Sequence, residues 1–110
     1  MTASSTIDQG SQVATLINVF TVRPERQRDL VETLAHVTDE VMRQRPGFIS
    51  ANIHASTDGN RVVNYAQWAS ADDFRAMLAD PEAREHMATV SRLAEGSDPL
   101  LYVVESVHHA

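Results

Sequence analysis

Residues 46–68 read Pro46-Gly-Phe-Ile-Ser-Ala-Asn-Ile-His-Ala-Ser-Thr-Asp-Gly-Asn-Arg-Val-Val-Asn-Tyr-Ala-Gln-Trp68. Two alternating runs meet at Asp58-Gly59, a dipeptide that tolerates the positive φ angles a tight hairpin turn requires, so the stretch predicts a β-hairpin. A two-residue turn places Ala55 opposite Val62, Ile53 opposite Asn64, Ala51 opposite Ala66 and Ile49 opposite Trp68. Side chains alternate along a strand, so these eight share one face. Asn64 is the one member that is not largely apolar. The other face carries Phe48, Ser50, Asn52, His54, Val63, Tyr65 and Gln67. A buried amide needs hydrogen-bond partners. Asn64 is therefore either a structural bracket or a contact offered to a ligand.

Residues 1–12 are small and polar and read as a flexible N-terminal tail, leaving 13–110 as one domain. Val13 to Val22 is β-rich and apolar on both faces, with Asn18 and Phe20 on the same side as Leu16. Pro24 opens a helix whose stripe is Leu30, Leu34, Val37 and Val41, and Pro46-Gly47 is expected to stop it. After the hairpin, Ser70 caps a helix with Phe74, Met77 and Leu78 on its apolar side. Asp80-Pro81 starts another, with Ala83, His86, Met87 and Val90 at helical spacing, ending near Gly96. Leu100 to His108 reads as the last strand. The order β-α-β-β-α(α)-β is an α+β, ferredoxin-like plan: a four-stranded antiparallel sheet with helices on one face. The uncovered, partly apolar face is expected to meet a second copy as a twofold homodimer, with Phe48, His54 and Tyr65 turned to the partner.

Composition narrows the function classes. The chain has 110 residues, 43% of them hydrophobic, and a formal net charge of −6, which argues against nucleic acid as a partner. With no Cys, disulfides, thiolate metal sites and Cys nucleophiles are excluded. No apolar run reaches membrane-spanning length, so a cytoplasmic protein with no membrane partner is expected. No Gly-rich phosphate loop, HExxH pair or nucleophile elbow is present. His108 and His109, adjacent in a strand, would point to opposite faces and not chelate one metal together.

What remains is an apolar cavity between sheet and helices with a few polar groups. Asn64 and Trp68, four residues apart on one face, lie roughly 13 Å apart along a strand, a separation suited to gripping two ends of a flat polycyclic ligand. Trp68 reads first as a core residue, and Asn64 equally as bracket or ligand contact. His86 faces the sheet as a pocket-edge histidine, an acid/base group or an axial metal ligand. Asn18 is the third candidate, structural or functional.

His54-Ala-Ser-Thr-Asp-Gly59 running into Val62-Val-Asn-Tyr-Ala-Gln-Trp68, with Pro46-Gly-Phe48 before it and Asp80-Pro81 after, resembles the antibiotic biosynthesis monooxygenase domain. The likeness covers about Val13 to the end and is greatest to the cofactor-free branch that oxidises anthrone or naphthacenone intermediates of aromatic polyketides to quinones. The resemblance implies a dimeric α+β barrel. It implies Asn64 and Trp68 as catalytic groups that contact substrate oxygens and stabilise its anion; His86, from its own place on the helix stripe, is the candidate proton acceptor. Asn18, Phe20, Ile49, Ile53, Phe74 and Met87 would line the substrate pocket. Phe74 stands where anthrone oxidases carry a tyrosine, and their pocket arginine has no clear match. Neither metal nor flavin is implied: an electron-rich carbanion of a small aromatic substrate would reduce O2 directly. A second branch of the fold degrades haem, and Asn18, Trp68 and His86 occupy its distal, porphyrin-ruffling and axial-ligand positions. A third expectation is a dimeric accessory or ligand-binding protein without catalysis, which a closed, fully packed core around Asn64 would favour.

Overall fold

The computed structural model describes residues 3–9 and 12–110. Strand β1 (Ala14–Thr21) is followed by a 3-10 turn (Pro24–Arg26), helix α1 (Gln27–Glu40) and a second 3-10 turn (Met42–Gln44). Strands β2 (Phe48–Ala55) and β3 (Arg61–Trp68) form the hairpin, helices α2 (Ala71–Ala79) and α3 (Pro81–Leu93) follow, and β4 (Gly96–Tyr102) ends the sheet. The sheet order is β2-β3-β1-β4, antiparallel throughout, the ferredoxin-like arrangement expected. Among the described residues no helix is long and apolar enough to cross a membrane.

Local chemistry explains most boundaries. Ser70 Oγ accepts the Asp73 amide at 3.0 Å, and Asp80 Oδ2 accepts the Ala83 amide at 2.9 Å, so both predicted N-caps form. Arg45 reaches Asp80 Oδ2 at 3.3 Å and also pairs with Glu82, tying the start of α3 to the chain entering β2. The first helix ends earlier than Pro46-Gly47. Val41 leaves helical geometry at φ −123°, and a 3-10 turn fills the interval, so Arg43 and Arg45 lie beyond the helix. Gly47, at φ +83°, passes so close to α2 that a Cβ there would overlap the Asp73 carboxyl, while its carbonyl accepts the Ala69 amide at 2.7 Å.

The hairpin loop is longer than two residues. Ser56 N–H donates to the Arg61 carbonyl and Gly59 N–H to the Ser56 carbonyl, so residues 57–60 form the loop, with Gly59 at φ +83°. The loop remains even in length, so Ala55 still faces Val62, Ile53 faces Asn64 and Ala51 faces Ala66. The Asn60 amide and the Ser56 hydroxyl donate to Asp58, holding its carboxyl below the ordinary value of 3.8. The Gln27 side chain bonds the Ser56 and Arg61 carbonyls, fastening the start of α1 to this loop.

Two further expectations are corrected. The pairing slips between Phe48 and Ser50, so Phe48, not Ile49, stands opposite Trp68. The last strand begins at Gly96 rather than Leu100 and stops at Tyr102, leaving His108 and His109 outside it. Pro99 sits within β4 opposite Asn18, which an edge strand tolerates because one row of its amides faces no neighbour.

The core has two clusters between sheet and helices. One joins Leu16, Ala66 and Trp68 to Val41, Phe74, Met77 and Ala83; the other joins Phe20, Val22 and Val62 to Leu30, Leu34, Val37 and Val90. On the uncovered face Ser5 donates to Asn52 and Gln67 donates to the Thr6 carbonyl, so part of the segment expected as a tail lies against the sheet.

Candidate active site

Between the sheet and the three helices lies a cavity of about 480 Å³, within the range of small-molecule sites, roughly 300–1,000 Å³. Its floor is the helix-facing side of the sheet: Leu16, Asn18 and Phe20 from β1, Asn64, Ala66 and Trp68 from β3, and Phe48 and Ala51 from β2. Its roof comes from Leu34, Val37 and Thr38 of α1, Phe74, Met77 and Leu78 of α2, and Met87, Val90 and Ser91 of α3. Ser97, Pro99, Leu100 and Leu101 of the exposed β4 form one rim. The lining contains no carboxylate, imidazole, guanidinium, phenol or thiol.

Trp68 is buried at 2% exposure, held edge-on by Phe48 at 5.5 Å and 88° and by Phe74 at 6.2 Å and 61°. Such T-shaped contacts fix the indole plane. Its Nε1 is fully buried and has no hydrogen-bond partner among the described residues. The same holds for Asn64 Oδ1. A buried polar atom left unpaired is unfavourable by about 1–3 kcal/mol. Both atoms belong to residues on one strand face that border one apolar cavity, and a guest reaches these closed-off atoms only as the Asn64 amide turns or the wall around the indole shifts. Asn18, cross-strand neighbour of Asn64, differs. Its Oδ1 accepts the Asp98 amide at 3.1 Å, securing the edge strand where Pro99 has no N–H to give. Among the described residues no hydrogen bond engages its amide nitrogen, which remains available to the cavity.

Residues 14–89 match the antibiotic biosynthesis monooxygenase family. The chain belongs to that family. It is 52% identical over 82 residues to the tetracenomycin-F1 monooxygenase of Streptomyces glaucescens, covering 74% of this chain and 73% of the relative. Among solved structures it resembles a monooxygenase from the gene ActVA-Orf6 of Streptomyces coelicolor, solved with the ligand nanaomycin D. That likeness has a TM-score of 0.81 and 35% identity over 88% of this chain and 91% of the other. It also resembles SnoaB, a cofactor-independent oxygenase from Streptomyces nogalater, with a TM-score of 0.77 and 25% identity over 88% and 97% of the two chains. The family read from the hairpin is thus borne out.

The expected site residues divide within this monooxygenase fold. Asn64, Trp68, Asn18, Phe20, Phe74 and Met87 all border the cavity. Ile49 does not: the slip at Phe48 turns it to the outer face, where it is 48% exposed beside Thr15 and Gln67. Phe48 takes its place, although alternation alone assigned it to the partner side. Ile53 keeps the helix-facing side but packs into the second core cluster beyond the cavity. His86 is half-buried on α3 and does not border the cavity, whereas its neighbour Met87 does. The haem reading needs that imidazole over the cavity, and it is not there. The fully packed interior around Asn64 that would favour an accessory protein is likewise absent, since Asn64 borders the cavity.

Met42, Met77, Thr38, Ser91 and Ser97 also border the cavity and were not singled out from sequence as site residues. A signal for Phe48 did exist. It heads an otherwise polar register of Ser50, Asn52 and His54, and such a mismatch is what a one-residue slip relieves.

Proposed function

We propose that this chain is a cofactor-independent monooxygenase that oxidises a phenolic, polycyclic, polyketide-like substrate to a quinone with O2. The observation that carries the reading is the pair of buried atoms unpartnered among the described residues, Trp68 Nε1 and Asn64 Oδ1, in the wall of an otherwise apolar cavity. The names of its relatives, a tetracenomycin-F1 monooxygenase and a cofactor-independent oxygenase, support the substrate class and the lack of a cofactor.

The chemistry follows from the wall. A flat aromatic substrate fills the slot between sheet and helices, and Trp68 N–H donates to one of its oxygens. The Asn64 amide, turning about its last side-chain torsion, presents an acceptor to a substrate hydroxyl or a donor to an oxyanion. Ionisation of the phenol delocalises charge onto the ring carbon to be oxidised. That carbanion passes an electron to O2, the two radicals combine as a hydroperoxide, and the O–O bond breaks with loss of water to leave the carbonyl. One O2 turns a CH2 into C=O and releases one H2O. The protein's contribution is preorganised hydrogen bonding in a dry site. Asn18 positions β4 and offers its amide nitrogen.

Quinone formation from an anthrone under air, in buffer freed of metal and flavin, tests the reading by absorbance. Asn64→Ala should lower kcat at least tenfold, about 1.4 kcal/mol of barrier. An unchanged rate in that variant, or a rate restored only by added metal or flavin, would refute the assignment.

We also propose that the molecule works as a twofold dimer through the outer sheet face. Ile17, Val19, Val63, Leu100 and Tyr102 lie on that face by register, the last two 52% and 45% exposed.

A further inference from the structure

Three of the four methionines in the chain, Met42, Met77 and Met87, border the one cavity described above. They arrive from the turn after α1, from α2 and from α3. Met77 is buried at 5% exposure in the same cluster as Trp68 and Phe74, while Met42 and Met87 are half-buried and pack against that cluster. Flexible thioethers suit a flat aromatic guest, since they adapt their shape and favour contact with ring edges. They are also readily oxidised, and the chain contains no cysteine to compete.

We propose that Met77 is an internal oxygen acceptor, oxidised to the sulfoxide by the hydroperoxide formed in this cavity during turnover. The inference rests on the oxidative reading above. The step is R–OOH + R′–S–CH3 → R–OH + R′–S(=O)–CH3. The O–O bond breaks and an S–O bond forms. Sulfur loses two electrons, the peroxide gains them, and the proton leaves with the alcohol. Each such event diverts one turnover from direct loss of water. It also sets a polar sulfoxide against Trp68 and Phe74, which loosens the wall. The enzyme therefore ages by turnovers rather than by time.

Burial makes the proposal separable from ordinary peroxide damage. An oxidant arriving from solvent meets the half-buried Met42 and Met87 before the buried Met77. A hydroperoxide formed in the cavity reaches Met77, which shares the buried cluster of Trp68 and Phe74, without crossing solvent. Cleavage after arginine puts the three sulfurs in different peptides, residues 29–43, 76–84 and 85–92, so each is read alone. The experiment incubates the intact protein with an anthrone, air and catalase, and follows quinone by absorbance and peptide mass over successive turnovers. A parallel sample receives hydrogen peroxide without anthrone.

The expected result is a gain of one oxygen on peptide 76–84 that grows with quinone formed and is insensitive to catalase, with the order reversed in the peroxide sample. Met77→Leu, which keeps volume, should at least double the number of turnovers before activity halves. Quinone formed with peptide 76–84 unmodified overturns the proposal and leaves the function intact. The same holds if oxidation follows the peroxide order and is suppressed by catalase. No quinone at all overturns both, because no hydroperoxide then forms in the cavity.

Discussion

Asn64 and Trp68 are the two side chains of the apolar cavity's wall with a buried polar atom and no hydrogen-bond partner for it among the described residues. Folding alone does not reward such an arrangement. Replacing Asn64 by an apolar residue of similar size therefore separates stability from function. Asn64→Leu should melt no lower than wild type, and as much as about 1 kcal/mol more stably, while its quinone-forming rate falls at least tenfold. A loss of several degrees in Tm would mean that the amide braces the fold. A second expectation follows from the lining itself, which has no titratable side chain. The proton lost by the substrate has no basic group on the wall to receive it, so the pH dependence of kcat/KM should track the acidity of the substrate. Two anthrones of different phenolic pKa should show profiles displaced from each other by that difference. A profile common to both would mark a protein group, with His86 the first to replace.

At the scale of elements, the slip at the start of β2 matters most. It brings Phe48 against the Trp68 ring and sends Ile49 to the outer face. Phe48→Ala removes one of two edge contacts that hold the indole. It should destabilise the half-buried site by about 2 kcal/mol and lower kcat several-fold. Ile49→Ala should leave kcat near wild type. The opposite ranking, read from steady-state rates and thermal melts, would restore the unbroken alternation. The hairpin loop teaches a different lesson. Its length exceeds the two residues expected, yet the register survives because two and four are both even. Asn64 therefore faces the helices in either case. The caps at Ser70 and Asp80 were legible because a short polar side chain before a helical stripe has one favourable use. The early end of α1 was not: Val41 leaves the helix without proline or glycine, and the 3-10 turn that follows delivers Met42 to the cavity.

For the whole molecule, helices cover one face of the sheet and leave Ile17, Val19 and Val63 half-buried with Leu100 and Tyr102 exposed on the other. Apolar area of that kind is characteristic of an isologous contact between copies. The protein should elute and scatter as a dimer of its 12.1 kDa chain, and Val63→Arg should shift it to monomer. A wild-type monomer at micromolar concentration would refute the arrangement. Segment 3–9 lies partly over this face, with Ser5 bonded to Asn52 and Thr6 to Gln67, so a partner must seat beside it or displace it.

Strand and helix order, the two helix caps, the turn and the face carrying Asn64 and Trp68 were all legible in the order of residues. Each depends on near neighbours or on the two- and 3.6-residue periods, which a linear chain displays directly. Other features depend on groups distant in the chain. Phe48 enters the site because Ser50 and Gln67 pair across the strands after the slip. His86 stays off the cavity because the packing of Ala83 and Val90 rotates α3 to present Met87 instead. Asn18 divides its amide between a strand edge and the cavity because Asp98, 80 residues away, needs an acceptor. That Asn64 and Trp68 end with unpaired atoms is also a tertiary fact. Whether a buried amide or indole finds a partner depends on what the opposite layer brings within about 3 Å, and here α1, α2 and α3 bring mainly aliphatic, aromatic and thioether groups.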